Sequence, residues 1–378
     1  MAFFRNDTVN WLNLHYTVHA LALGGSEAFF AAYLLKAGLP APQVLTVLAV
    51  IFGARFFIRP LVLVLARRVG LRALVIGGTV LASVQYPMLA QVHGLGWPLA
   101  VLCLFASAGD TLYWTAYHAY FAALGDVEHR GHQIGAREAA AALAGVVGPL
   151  LSGWALTVLG AQVAFGVTAG VMALSALPLL RTPDVAIAPR LPGAFRAALP
   201  GVWLYVADGW IGAGFYLVWQ IALFSTLGQQ FSAYGGAMAL AALVGAASGL
   251  LLGRWIDLGH GARAVILSLG GLAGAVAFRA IGTGHPVLAV AASAVGAVAT
   301  AAYTPTLMTA VYNLAKASPC PLRFSMATEG GFDAGCAGNC LTAAALLWSG
   351  VPLGGAILPA LLGVGGMSLL LRRYYRAV

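Results

Sequence analysis

Residues 181–199, RTPDVAIAPRLPGAFRAAL, are the longest polar interruption in a chain of 378 residues, and they stand at its middle. Three prolines and three arginines break an apolar pattern that resumes on both sides. Working outward, runs of about 20 apolar residues, rich in Ala, Leu, Val and Gly, follow one another to both ends; each is long enough to cross a ~30 Å hydrocarbon core as an α-helix. Spans are expected near 11–35, 43–66, 72–92, 97–123, 136–158 and 161–180, then 200–225, 233–253, 263–283, 286–313, 326–348 and 351–371. The central stretch therefore separates six spans from six. The expected organisation is an N-terminal half over 1–182, a linker over 183–199 and a C-terminal half over 200–378.

Composition points the same way. The chain is 61% hydrophobic and only 8% charged, with a mean hydropathy of +0.89. Soluble domains are about 25% charged, so this chain lacks the polar surface to cover itself in water. Barrel strands would alternate over roughly 10 residues, whereas these runs are continuous and long. The expected fold class is an all-α polytopic membrane protein of twelve transmembrane helices, with no space left for an extramembrane domain. The first apolar stretch carries His15, His19 and Glu27 and is too long and polar for a signal-peptide core, so the first span is expected to be retained. A net charge of +9 would suit nucleic acid if the arginines gathered on one domain. They are spread between spans, so the expected partner is the lipid bilayer and not nucleic acid. Cys103, Cys320, Cys336 and Cys340 make no secreted-type disulfide framework. Arg outnumbers Lys by 18 to 2, a bias read as that of a GC-rich bacterial genome.

Loop charges set the orientation. Connections after even-numbered spans carry Arg67, Arg68 and Arg72, then Arg130, then Arg181, Arg190 and Arg196, then Arg254 and Arg263, then Lys316 and Arg323. Those after odd-numbered spans carry only Lys36. Basic loops stay in the cytoplasm. Both termini are therefore expected to be cytoplasmic, in a bacterial inner membrane.

Two loops correspond between the halves: RPLVLVLARRVGLR (Arg59 to Arg72) after the second span and GRWIDLGHGAR (Gly253 to Arg263) after the eighth. Here the sequence resembles the major facilitator superfamily, whose members share a six-plus-six arrangement and a loop signature of the form G-x-x-x-D-R-x-G-R-R. Gly253, Asp257 and Arg263 fit the second copy, with one extra residue before the last basic position. The first copy keeps Arg68, Gly70 and Arg72 but has Leu63 and Arg67 where the Gly and Asp would stand. In the fifth span, Gly148, Pro149 and Gly153 are similar to the Gly-Pro signature of that superfamily's proton-antiporter branches; plain packing of a small-residue helix explains them equally well. The resemblance implies gating roles for these residues, and a cavity lined by the first, fourth, seventh and tenth helices.

Ionisable groups inside spans are costly and are functional candidates by default. They are His15, His19 and Glu27 in the first span, Arg55 and Arg59 in the second, Asp110 and His118 in the fourth, Asp208 in the seventh, Arg279 in the ninth, and Glu329 and Asp333 in the eleventh. His15 and His19 share a helix face; they fit metal binding, proton uptake or hydrogen bonding between helices. Asp110 with Trp114, Tyr117 and His118 suits an organic cation through charge pairing and cation–π contact, or else the rings are packing and interfacial anchors. Asp208 with Tyr205, Tyr216, Trp219 and Gln220 repeats the theme in the other half. In SPCPLRFSMATEGGFDAGCAGNCL (318–341), Glu329, Asp333, Cys336 and Cys340 fall within about 60° of one helical stripe. That stripe could ligate a transition metal, or hold buried cysteines beside acids paired with Arg279 or Arg323.

No Walker loop, H-E-x-x-H or G-x-S-x-G sequence is present, so no enzyme activity is expected. The resemblance implies a secondary active transporter working by alternating access on a small molecule, without a cofactor and as a monomer. Coupling to protons through Asp110, Asp208, Glu27, Glu329 and Asp333 is expected, with an organic cation or amine as substrate. A divalent metal or metal chelate is the alternative substrate. A non-transporting sensor or assembly factor of the same fold is the alternative of another class.

Overall fold

A computed structural model describes residues 6–124, 130–185, 187, 193–256 and 261–377, except the side chains of 122, 130–136, 138, 252–256, 261–264 and 377. Among the described residues, twelve membrane helices form in two halves. The first is Asp7–Lys36, opened by Asn6, whose side chain accepts a hydrogen bond from the Val9 amide. The second and third run together as Ala41–Leu89 and break at Gly70, where φ is 81° and ψ 170°. The fourth is Trp97–Leu124, the fifth Arg130–Val158 and the sixth Ala161–Arg181. The second half holds Leu199–Thr226, Phe231–Ile256, Gly261–Gly282, Pro286–Ala317, Pro321–Trp348 and Leu353–Arg376. Proline in the first turn starts the second, seventh, tenth and eleventh helices, where its fixed φ and missing N–H cost nothing.

The connections at the end of the molecule away from the linker share one device. Each of the six turns on a glycine at positive φ, from Gly38, Gly94 and Gly160 in the first half to Gly228, Gly284 and Gly350 in the second. Only glycine takes that backbone without strain, so the six-plus-six repeat is written into turn chemistry as well as hydropathy.

Among the described residues, ten helices are long and apolar enough to cross a membrane, the second and third counting as one. The eleventh, Pro321–Trp348, is not among them, because Glu329, Asp333, Asn339 and four glycines dilute its apolar character. It lies against the seventh helix within its own half and against the second helix of the other. Glycines set its depth. A Cβ at Gly331 would stand 2.6 Å from the Val202 carbonyl, and Cβ atoms at Gly209 and Gly335 would overlap the carbonyls of Phe332 and Val206. The backbones of the seventh and eleventh helices therefore touch, as small residues permit in membranes. A second extensive contact between halves joins the fifth and eighth helices.

Candidate functional site

A cavity of about 1160 Å³ lies between the halves. The first half contributes Glu27, Phe52, Arg55, Trp114, His118 and Pro149; the second contributes Tyr205, Asp208, Tyr216, Trp219, Gln220, Arg279, Glu329 and Phe332. At the end away from the linker it is sealed by rings from both halves. Phe29, Phe224 and Tyr234 are fully buried there, Phe29 meets Tyr234 edge-on at 5.2 Å, and the Tyr234 hydroxyl donates to the Ala28 carbonyl at 2.9 Å. Nearer the linker the wall is open, and the His118 side chain is 43% exposed.

Charges divide into a paired set and a free-standing set. In the paired set, Arg55 lies between carboxylates of opposite halves, 3.3 Å from Asp110 and 3.0 Å from Asp333. Arg59 donates through Nε to Asp333 at 3.2 Å, forms a second contact with it through Nη2, and donates through Nη1 to the Thr115 hydroxyl at 2.6 Å. Arg59 also lies 3.9 Å from Glu329, which stands 4.0 Å from His118. All of this joins the second, fourth and eleventh helices. The free-standing set is Glu27 and Asp208, one from each half. Glu27 is exposed to the cavity and in no ion pair among the described residues, while Asp208 accepts a hydrogen bond from the Tyr303 hydroxyl at 2.7 Å.

Several sequence expectations change. His15 and His19 do share a face, but it turns into the first half. His15 bonds through Nδ1 to the Ser175 carbonyl at 2.7 Å and through Nε2 to the Tyr113 hydroxyl at 3.1 Å, and His19 stacks on Tyr113 at 4.0 Å. Tyr117 is fully buried beside them, so none of the three lines the cavity. Asp110 lines a smaller cavity behind the main one and is engaged by Arg55, which leaves its charge neutralised for any organic cation. Trp114, His118, Asp208, Tyr216, Trp219 and Gln220 do meet in the main cavity.

The eleventh-helix stripe does not converge as a metal site. Among the described residues, no three His, Cys, Asp or Glu side chains are placed to hold an ion. Asp333 is taken by two arginines, the Cys336 thiol donates to the Gly209 carbonyl at 3.2 Å, and Cys340 is fully buried in the apolar core. Asp333 thus pairs with Arg55 and Arg59, not with the Arg279 or Arg323 expected from the sequence. The sequence counts Arg55 and Arg279 among the functional candidates, but on helices outside the expected cavity lining. Their signal was present, since each is a lone cation in the middle of an apolar run.

The sequence profile of the Major Facilitator Superfamily matches residues 16–317. The chain belongs to this superfamily. No curated protein matches it. Solved structures share the fold of this superfamily member at low identity. One is a POT family transporter in complex with 5-aminolevulinic acid, at 11% identity and a TM-score of 0.76, covering 97% of this chain and 96% of that one. A second POT family transporter, with a thioalcohol-conjugated peptide, gives 12% and 0.69 over 98% and 96%. The nucleoside transporter NupG gives 12% and 0.66 over 98% of each chain.

Of the residues tied to gating by the superfamily signature, Gly70 makes the break between the second and third helices. The acid that the loop lacks at Arg67 comes from elsewhere: Asp184, at the start of the linker, accepts the Arg72 amide at 3.1 Å, while Arg72 Nη1 donates to the Thr182 carbonyl at 2.9 Å. Arg68 is exposed. Gly148 packs on the first helix, where a Cβ would stand 2.8 Å from the Gly25 amide, and the Pro149 carbonyl abuts Gly235 of the eighth. Asp257 and the surroundings of Gly253 and Arg263 lie outside the described residues.

Proposed function

We propose that this superfamily member is a proton-coupled secondary transporter of a small amine-bearing molecule, working by alternating access around the central cavity. One observation carries the reading: Glu27 and Asp208, from opposite halves, face the cavity and form no ion pair among the described residues. An ionised carboxylate inside a membrane is costly unless it takes up a proton or a cation. A group that holds one or the other, but not both, exchanges them, and such exchange is antiport. Trp114, Tyr205, Tyr216 and Trp219 supply ring faces for an ammonium. The open end is the linker end, and the loop arginines support a cytoplasmic linker, which makes the inward-facing state of a monomer with halves dividing at 183–199 the reading that fits. The bacterial inner membrane fits the same charge bias.

Proteoliposomes loaded with a pH-sensitive dye test this. Addition of alkylamines or polyamines should move protons out of step with leak in the wild type, and Glu27→Gln with Asp208→Asn should abolish the response. No proton movement with any amine would overturn the reading.

A further inference from the structure

Among the described residues, Arg279 is the one cavity arginine without an acid. It is 5% exposed, lines the main cavity from the ninth helix, and forms no ion pair among the described residues. Its Nη1 donates to the Phe215 carbonyl, its guanidinium lies over the Phe215 ring at 3.6 Å and over the Trp219 ring at 5.2 Å from the ring centres, and its Nε has no hydrogen-bond partner among the described residues. A buried guanidinium normally meets a carboxylate. Here the ring faces and one carbonyl hold the side chain in place, and the charge stays uncompensated.

The backbone around it is also irregular. Residues Ala213–Val218 of the seventh helix form a π-helical turn, and Phe215, whose carbonyl accepts the Arg279 hydrogen bond, lies inside it. Such turns concentrate at functional sites. On the other side, Gly296 of the tenth helix leaves room for the guanidinium, since any Cβ there would overlap it. Three helices thus hold one positive charge against the wall of a cavity whose free acids stand elsewhere.

We propose that Arg279 binds a carboxylate of the transported molecule, so that the cavity accepts a zwitterion: its ammonium goes to Glu27 and Asp208 and its carboxylate to Arg279. This rests on reading the cavity as a transport site. A carboxylate, rather than a phosphate dianion, matches a single guanidinium that already gives one donor to the backbone. A molecule carrying both charges also enters with no net charge, which limits the cost of leaving water.

Thermal stability of the purified full chain, titrated with three matched probe series, tests this: ω-amino acids of two to eight carbons, the corresponding alkylamines, and the corresponding alkanoates. Ligands that bind the folded form raise its melting temperature by mass action. In the wild type, an ω-amino acid of at least one length should bind about tenfold or more tighter than its amine, the size expected of one charge-assisted contact. Arg279→Gln should erase that preference while leaving amine binding in place. Equal binding of amine and amino acid by the wild type overturns the proposal without needing a variant. A folded Arg279→Gln that keeps the preference but melts lower overturns it too, and makes Arg279 a brace for the π-helical turn. If no probe of any series binds, the transport-site reading fails and the proposal falls with it.

Discussion

Arg55 and Asp333 belong to opposite halves of the molecule, yet Arg55 Nε stands 3.0 Å from Asp333 Oδ1. The pair is close without being aligned as a hydrogen bond, because the better-aligned donors to Asp333 come from Arg59. The second and eleventh helices are thus joined by two cations sharing one fully buried carboxylate. Any motion of the halves that separates these helices must re-partner those charges.

Removing one side of this cluster should be costly. Asp333→Leu leaves two buried guanidinium groups with less compensation, and a loss of about 3–5 kcal/mol is expected, the range for breaking a buried pair from one side. Arg59→Met with Asp333→Leu should lose less than the two single changes added together. Thermal melts of the four proteins in detergent give the coupling directly, and additive losses would mean that the pair contributes no interaction of its own.

Coupling should separate from binding at the unpaired acids. Glu27→Gln or Asp208→Asn should abolish accumulation driven by a pH gradient while at least one of them retains counterflow exchange of substrate. Exchange needs only the loaded carrier to reorient, whereas gradient-driven transport also needs the proton to load and leave. Asp110→Asn should behave differently, losing stability with its Arg55 contact. Wild-type accumulation in both cavity variants would clear these two acids of a coupling role and turn attention to Glu329.

Zinc or cobalt should produce no saturable thermal shift in the wild type, because Asp333 and Cys336 already have partners within the fold. Cys336→Ser with Cys340→Ser should melt lower, since a hydroxyl in the place of the fully buried Cys340 thiol brings a polar group into an apolar core. A metal-dependent shift that the double variant loses would restore the ligand reading.

Topology is checked by labelling. In a background without native cysteines, Cys at Gly96, Gln230 or Ser349 should react with impermeant reagents from the periplasm; Cys at Arg68 or Arg196 should react only after permeabilisation. Gly228 and Gly350 are poorer positions for the label, because their φ values of 68° and 90° strain any side chain. Reversed accessibility would invert the orientation.

Much of the fold was legible because lipid imposes one rule on every span. The expected 97–123, 161–180 and 286–313 became Trp97–Leu124, Ala161–Arg181 and Pro286–Ala317. The merging of the second and third helices at Gly70 was less visible, since the clamp on that turn, Asp184, lies 112 residues from Arg72. The site was legible as a set of residues and illegible as a set of partners. Helical spacing places His15 beside His19, but it does not say which neighbour that face meets, and the answer was Ser175 and Tyr113. The acids of the eleventh helix stood out in the sequence as costly, and Arg59, which pairs with Asp333, lay 274 residues back in the second helix. Hydropathy fixes how a helix crosses the bilayer and leaves its rotation to packing.

The polarity of the eleventh helix bears on how the chain is made. A charged residue at the centre of a span adds roughly 2.5–3.5 kcal/mol to the cost of insertion, and this helix carries Glu329 and Asp333 where its neighbours carry Ala and Leu. It follows the helix bearing Arg55 and Arg59 along the chain, so that helix is made first. The first half thus acts as an internal chaperone for a segment that lipid alone rejects. A second half expressed by itself should leave Pro321–Trp348 outside the membrane, and co-expression with the first half should draw it in.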